Sequence, residues 1–240
     1  MARYTNSHFG EVKGKVGNLV GSSWRGIPYV KSKGKKTWKK PSEELKSTRS
    51  SFKFINEWLI PVHSMVMIGF KNYHPQKSGR NSAHSYNSTR ALIETEKGFD
   101  IDYSKFLFSY GNLPGCKGAS ARITEDSKVE ISWSTETPKN ARKSDIMMYI
   151  VFFPDGNLVL CDEDAASRKE GKIEMPLIPS HRSERMEIHI AFKSALSDEV
   201  SMSKYVGSLN VKEVVPEVVE TSNLCKPAAL PDLFFSKRPK

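Results

Sequence analysis

The sequence predicts an α+β protein in which an N-terminal β-ribbon with helices precedes an all-β sandwich. Three observations predict it. Glycines at 14, 17, 21 and 26 break a short apolar stretch into strand-length pieces. Apolar residues between Pro41 and Arg90 recur at helical spacing. From about Asp100 onward, eight short apolar runs are separated by polar turns, with no helical stretch long enough to intervene.

Between Gly14 and Ser32, short strands bending at glycines fit better than a helix, where each glycine costs about 1 kcal/mol. Arg25-Gly26 is the expected turn between a strand ending near Trp24 and one running from Ile27 to Lys33. Pro28 has no amide hydrogen, which places the second strand at an edge. Lys31 to Lys40 holds six lysines and one apolar residue, Trp38, and reads as a basic strap.

A helix is expected from Ser42. The serine caps free amides, and Glu43 and Glu44 sit at the positive end of the helix dipole. Leu45, Phe52, Ile55 and Leu59 fall on one face, and Pro61 kinks or ends the helix. A second helical piece is expected over 62–73, a loop over 74–81 and a weaker helix over 82–94.

The expected strands are 106–110, 119–124, 129–134, 146–153, 158–161, 172–177, 186–192 and 202–211. In Val129–Ser134, Val129, Ile131 and Trp133 share one face, as a half-buried strand requires. That strand, with Tyr149 and the alternation after Glu187, resembles an immunoglobulin-like or fibronectin type III-like sandwich. No cysteine pair flanks Trp133 at the immunoglobulin spacing, which excludes the disulfide-bearing version. The expected organisation is therefore a basic β-ribbon plus helical module over 1–97, an immunoglobulin-like sandwich over 98–211 and an extended tail over 212–240.

Charge separates the two halves. Residues 1–90 hold 17 Lys/Arg against four acidic residues, a balance of +13, whereas 91–240 hold 20 against 23. A basic segment of this kind attracts polyanions or an acidic protein surface. Hydrophobic content of 38% supports real cores. The most apolar stretch, Trp58 to Phe70, is too short to span a membrane. No secretion signal is visible at the start of the sequence. Cys116, Cys161 and Cys225 are odd in number and widely spaced, which fits thiols in a reducing compartment. The expected location is cytoplasmic on synthesis, with incorporation in a virion or particle.

Catalytic and cofactor motifs are missing. Gly10–Val16 has three residues between its glycines instead of the four of a phosphate loop, and Val16 where that loop has Ser or Thr. The acidic run at 162–164 lacks the glycine and glutamate of a calcium loop, positions held here by Ser167 and Ile173, so it reads as a solvated turn. No cofactor, metal or enzyme chemistry is expected. The one constellation with chemistry in it combines Lys13, Lys15, Arg25, Lys31, Lys33, Lys35, Lys36, Lys39 and Lys40 with Trp24, Tyr29 and Trp38. Cations near phosphates and rings free to stack are what single-stranded nucleic-acid binders use. The same rings also serve as core residues of a ribbon, and the same lysines as a subunit-docking face.

Gly14–Ser32, the strap and helix start over 35–52 and the strand at 201–211 resemble a family of small basic proteins of Bacteroidota known only as a domain of unknown function. This chain departs from the family pattern in the strap, at Glu43, Glu44 and Lys46, and in the tail after Lys212. The resemblance implies no established activity. The reading that fits is a non-enzymatic structural or assembly subunit of virion or particle type, self-assembling or docking on another protein subunit. A single-stranded nucleic-acid-binding protein is the alternative, and a surface adhesin or carbohydrate-binding sandwich the third.

Overall fold

Glycine-led hairpins build the first part of the chain. The computed structural model describes residues 2–3, 13–24, 26–35, 40–96, 98–124, 126, 128–177 and 185–210. The chain divides into two compact units, 1–48 and 49–240. The first unit holds β1 (Ala2–Arg3), β2 (Gly14–Val16), β3 (Leu19–Trp24) and β4 (Ile27–Ser32) in one antiparallel sheet of order β1-β4-β3-β2. Trp24 pairs with Ile27 across the expected Arg25-Gly26 turn, and Gly26 takes a φ of 79° that favours glycine. Strand β4 is not an edge, because β1 pairs with its Tyr29 and Val30. Pro28 lies just beyond those two residues of β4.

Helix α1 (Glu43–Trp58) begins as expected, with the Leu45 amide donating to Ser42 Oγ at 3.3 Å. Its buried stripe differs from the expected face. Ile55 and the following Leu59 are fully buried, whereas Leu45 and Phe52 stay exposed. Helix α2 (His63–Gly69) follows the turn at Pro61. Helix α3 (Gly79–Arg90) starts three residues earlier than expected, because Ser78 caps it by accepting from the Asn81 amide at 3.3 Å. It also ends sooner. Residues 92–101 form a hairpin of β5 (Leu92–Thr95) and β6 (Gly98–Ile101), fixed where the Asp102 amide donates to the Ala91 carbonyl at 2.7 Å.

Among the described residues, seven strands make the sandwich: β7 (Ser120–Ile123), β8 (Lys128–Ser132), β9 (Ile146–Phe153), β10 (Leu158–Ser167), β11 (Lys172–Pro176), β12 (Arg185–Lys193) and β13 (Lys204–Asn210). One sheet has the order β11-β8-β7 and the other β10-β9-β12-β13, with every pairing antiparallel. Val129, Ile131 and Trp133 meet Met147, Val151, Ile188 and Phe192 in one core between the sheets. Trp133 is buried as its alternation requires, and its indole N–H donates to the Arg168 carbonyl at 3.0 Å.

Strand β9 is apolar on both faces. Met147, Val151 and Phe153 enter the sandwich core. Met148, Ile150 and Phe152 enter a second core with Ile55, Leu59, Met65 and Phe70 of the helical segment. The four-stranded sheet is thus a middle layer between helices and the three-stranded sheet. Two expectations fail for related reasons. Residues 106–110 are no strand. Phe106 and Phe108 are buried in the second core, and the backbone there finds its partners singly. Asn87 bonds both the amide and the carbonyl of Leu107, at 3.0 and 2.8 Å, and the Ser203 hydroxyl accepts from the Phe108 amide at 3.1 Å. The acidic run is no turn between strands either. It lies within the edge strand β10, at a register irregularity between Asp162 and Ala166, where charge on an exposed edge discourages pairing with other chains.

Arg168 with Asp145, and His189, are among the polar side chains buried in this interior. Arg168 is fully buried against Asp145, Nε to Oδ2 at 3.3 Å, and donates to the Gly115 and Pro114 carbonyls at 2.9 and 2.6 Å. Its guanidinium also lies 4.1 Å from the Phe192 ring centre. His189 is fully buried, contacts the rings of Phe106, Phe152 and Tyr205, and has no hydrogen-bond partner at either ring nitrogen. Burial pushes its pKa down to about 3.

Three measurements follow from this arrangement. A fragment of residues 98–210 would expose Met148, Ile150, Phe152 and Phe106. It is expected to lack cooperative thermal unfolding, while a fragment of residues 49–210 retains it; cooperative unfolding of the shorter piece would make the sandwich an independent domain. Trp133→Ala is expected to destabilise by roughly 3–5 kcal/mol in chemical denaturation, and a near-neutral result would place the ring outside the core. The third concerns acid. His189 is neutral in the folded chain down to about pH 3, whereas the unfolded imidazole takes up a proton near its ordinary value of about 6.5. Between those values the unfolded state binds the extra proton, so stability falls as pH drops from about 6.5, by at most about 5 kcal/mol across the window. Carboxylates titrate lower, so the first part of that loss should vanish in His189→Phe, measured by denaturant midpoints between pH 5 and 7.

Candidate nucleic-acid and subunit interface

Pairing within the N-terminal sheet decides which side chains share a face, since residues opposite one another in an antiparallel ladder point the same way. Val16 pairs with Leu19, Leu19 with Ser32, and Gly21 with both Gly14 and Val30. With Ser23 and Pro28 these residues form a face without a single charge. The opposite face contains Lys15, Val20, Ser22, Trp24, Ile27, Tyr29 and Lys31, through the pairs Lys15–Val20, Val20–Lys31, Ser22–Tyr29 and Trp24–Ile27. Trp24 and Tyr29 are diagonal neighbours, about 7–8 Å apart at their backbones. The Lys31 ammonium lies 5.9 Å from the Tyr29 ring centre. Rings thus occupy the hairpin end of the face; Lys31 follows two residues beyond Tyr29, and the Lys15–Val20 pair lies about 13 Å, four residues along β3, from Trp24.

The remaining basic residues divide into two groups. Lys13 precedes β2, Lys33 and Lys35 follow β4, and Lys40 precedes α1, all of them exposed. The Lys33 amide donates to the Asn18 carbonyl at 2.7 Å, which holds the start of the strap beside the β2–β3 turn. Arg25, Lys36, Trp38 and Lys39 were expected in the same constellation and lie outside the described residues. The structure therefore brings together Lys15, Trp24, Tyr29 and Lys31.

This sheet has little core of its own. Leu19 is 52% and Trp24 45% exposed, and Val16 and Ile27 are exposed as well. Every residue of the two apolar clusters described above comes from the second unit. Residues 1–48 carry 11 Lys/Arg against three glutamates. Among the described residues no three His, Cys, Asp or Glu side chains gather into a metal-binding group. No described helix is long and apolar enough to cross a membrane. What the face can do chemically is attract anions and stack or bury flat rings.

Sequence reasoning missed a second concavity, which lies wholly within the second unit. A groove of about 500 Å³ opens where the end of α1 meets the β9–β10 hairpin. Trp58 stacks on Phe152 with ring centres 5.0 Å apart and planes 24° from parallel, and Tyr103 leans on Phe152 at 5.3 Å. Glu57 and Asn157 supply polar atoms at its wall. Trp58 was legible only as a helix residue, because Phe152 lies 94 positions further along the chain.

A family model described as a family of unknown function, DUF6266, matches residues 11–207. No curated protein matches the chain. The matched span takes in the Gly14–Ser32 ribbon, the helices and nearly all of the sandwich, so the ribbon and the sandwich belong to one family pattern. The chain belongs to the DUF6266 family of unknown function.

Proposed function

We propose that this protein is a non-enzymatic assembly subunit whose N-terminal sheet is its contact element. The observation that carries the reading is the two-faced character of that sheet. One side is uncharged and apolar around Val16, Leu19 and Val30, while the other combines Lys15 and Lys31 with Trp24 and Tyr29. Burial of exposed apolar side chains of this kind against a neighbouring subunit is favourable at about 25 cal/mol per Å². The lysine face is suited to a polyanion, either enclosed nucleic acid or an acidic surface of the neighbour. A virion or comparable particle is the setting in which both contacts are made at once. That part of the reading rests on the analogy of build, a basic Gly-rich ribbon joined to a sandwich, and on no shared chemistry. We read the sandwich itself as immunoglobulin-like of the fibronectin type III kind, since β10 pairs with β9 and leaves β11, β8 and β7 as a sheet of three.

A second reading, a dedicated single-stranded nucleic-acid-binding protein, is favoured by the diagonal Trp24–Tyr29 pair on the lysine side. The two readings separate in solution. Size-exclusion chromatography with light scattering should give a multimer of the purified chain, and Val16→Ser with Leu19→Ser should reduce its mass. Replacing Lys15, Lys31, Lys33 and Lys35 by Gln should weaken oligonucleotide binding evenly across sequences. It should also flatten the dependence of log affinity on log salt by roughly 0.7 per single-strand phosphate that is no longer neutralised. Trp24→Ala should then cost roughly 1–3 kcal/mol only if its ring stacks on a base. A monomer whose oligonucleotide affinity and salt slope ignore all of these changes would overturn both readings.

A further inference from the structure

The aromatic groove of the second unit lies beside the place where the described chain ends. Strand β13 finishes at Asn210, which pairs with Arg185 of β12. Two residues further along β12, Glu187 pairs with Phe152 of β9, the groove's floor. Continuing that register sets Arg185 opposite Pro154. Asn210 therefore lies two strand spacings, about 10 Å, from the hairpin turn that closes one end of the groove. The remaining 30 residues, 211–240, begin at that point.

Their sequence matches the groove in two respects. Leu230-Pro231-Asp232-Leu233-Phe234-Phe235 is the one run of the tail that combines aromatic and branched apolar side chains. The groove presents Trp58, Tyr103 and Phe152 as partners for rings and Val159 and Ile60 as apolar walls. Shortly after Phe235 come Lys237, Arg238 and Lys240. Glu57, which also pairs with Lys53 at 3.7 Å, lies in the groove wall, and Asp155 sits in the four-residue turn beside it, so two exposed carboxylates stand within reach of those cations. Ile60 is 58% exposed at the lip, apolar surface that a docked segment would cover.

We infer that the groove is the seat of the chain's own C-terminal segment, with Leu233, Phe234 and Phe235 on the Trp58–Phe152 stack. This goes beyond the assembly reading and does not depend on it. The 19 residues from 211 to 229 can reach up to about 60 Å, several times the separation they must cover. At that length the segment is present at its own groove at a millimolar effective concentration, which favours the intrachain seat in dilute solution. Proline at 231 suits a ligand held extended, since its φ is already set.

Hydrogen exchange on the full chain tests this. In a Leu233→Ser, Phe234→Ser, Phe235→Ser variant, amides over 54–61 and 152–159 should exchange faster. The factor is roughly tenfold if a contact of about 100 µM affinity acts at about 1 mM effective concentration. Ile60→Glu, a change at an exposed position, should do the same without touching the tail, and both variants should still unfold cooperatively. A synthetic peptide of residues 228–240 should slow exchange over the same segments in the serine variant and have little effect on the unaltered chain. Unchanged exchange in the serine variant, or no response of that variant to the peptide, would overturn the inference. So would a drop in molar mass on the serine changes, which would mean that the seat is filled from a second copy. Protection restored by oligosaccharides but not by the peptide would replace the tail with a saccharide as occupant. None of these outcomes turns on the lysine face, so failure here leaves the assembly reading standing, and the reverse holds as well.

Discussion

Strand β9 carries apolar side chains on both faces, and the requirement to keep both out of water shapes the whole second unit. Burying a large aliphatic or aromatic side chain is worth about 1.5–3 kcal/mol, so neither Met147, Val151 and Phe153 nor Met148, Ile150 and Phe152 can be left exposed cheaply. The three-stranded sheet covers one set. Helices α1 to α3 and the buried 106–108 segment cover the other. A sheet of this kind usually keeps one solvated face. Here that face is occupied, and the helices are part of the sandwich's stability.

Polar groups inside such a body need specific partners, and the chain supplies them unevenly. The Arg168–Asp145 pair joins the start of β9 to the end of β10, and through the Pro114 and Gly115 carbonyls it also holds the approach to β7. Burial lowers the pKa of Arg168, and the Asp145 charge opposes that shift. A buried pair of this kind is weak evidence of net stability but strong evidence of a fixed arrangement, since losing either partner strands the other. His189 is the opposite case. Its ring packs among Phe106, Phe152 and Tyr205 with no partner for its nitrogens, which holds it neutral. The nearest polar arrangement on that side ties Tyr205 to Glu187, whose carboxylate accepts the phenol hydrogen at 2.5 Å while also facing Arg185.

Close approaches of backbone set the helical layer against the sheet. A Cβ at Gly69 would collide with the Phe108 carbonyl oxygen, and the Tyr110 amide donates to the Gly69 carbonyl at 2.9 Å. Any other residue there would push α2 away from the segment that fills the second core. In the N-terminal unit a Cβ at Gly14, Gly17, Gly26 or Gly34 would meet no atom within 4 Å. Gly17 and Gly26 serve its turns, Gly14 and Gly21 pair within its strands, and Val16, Leu19, Trp24 and Ile27 lie open. One unit is thus organised around what it buries, and the other around what it exposes.

The sequence by itself determined much of the local structure. Alternation at Val129, Ile131 and Trp133 set one side of the sandwich, the Arg25-Gly26 turn set the first hairpin, and Ser42 with Glu43 and Glu44 set the start of α1. It also located the basic segment, and it indicated a family of unknown function. These features depend on neighbours within a few residues, where spacing alone carries the information. Tertiary structure decided the rest. Helical spacing put Leu45 and Phe52 on one face with Ile55 and Leu59, yet only the latter pair is buried. Residues 106–110 read as a strand, but Asn87 and Ser203, 20 and 95 positions away, took their backbone groups instead. The Trp58–Phe152 groove and the Arg168–Asp145 pair join residues far apart in the chain, and which candidate acquires a partner at such separation is settled by how the layers pack. Periodicity tells a side chain which way to point, and only the assembled layers determine what it meets there.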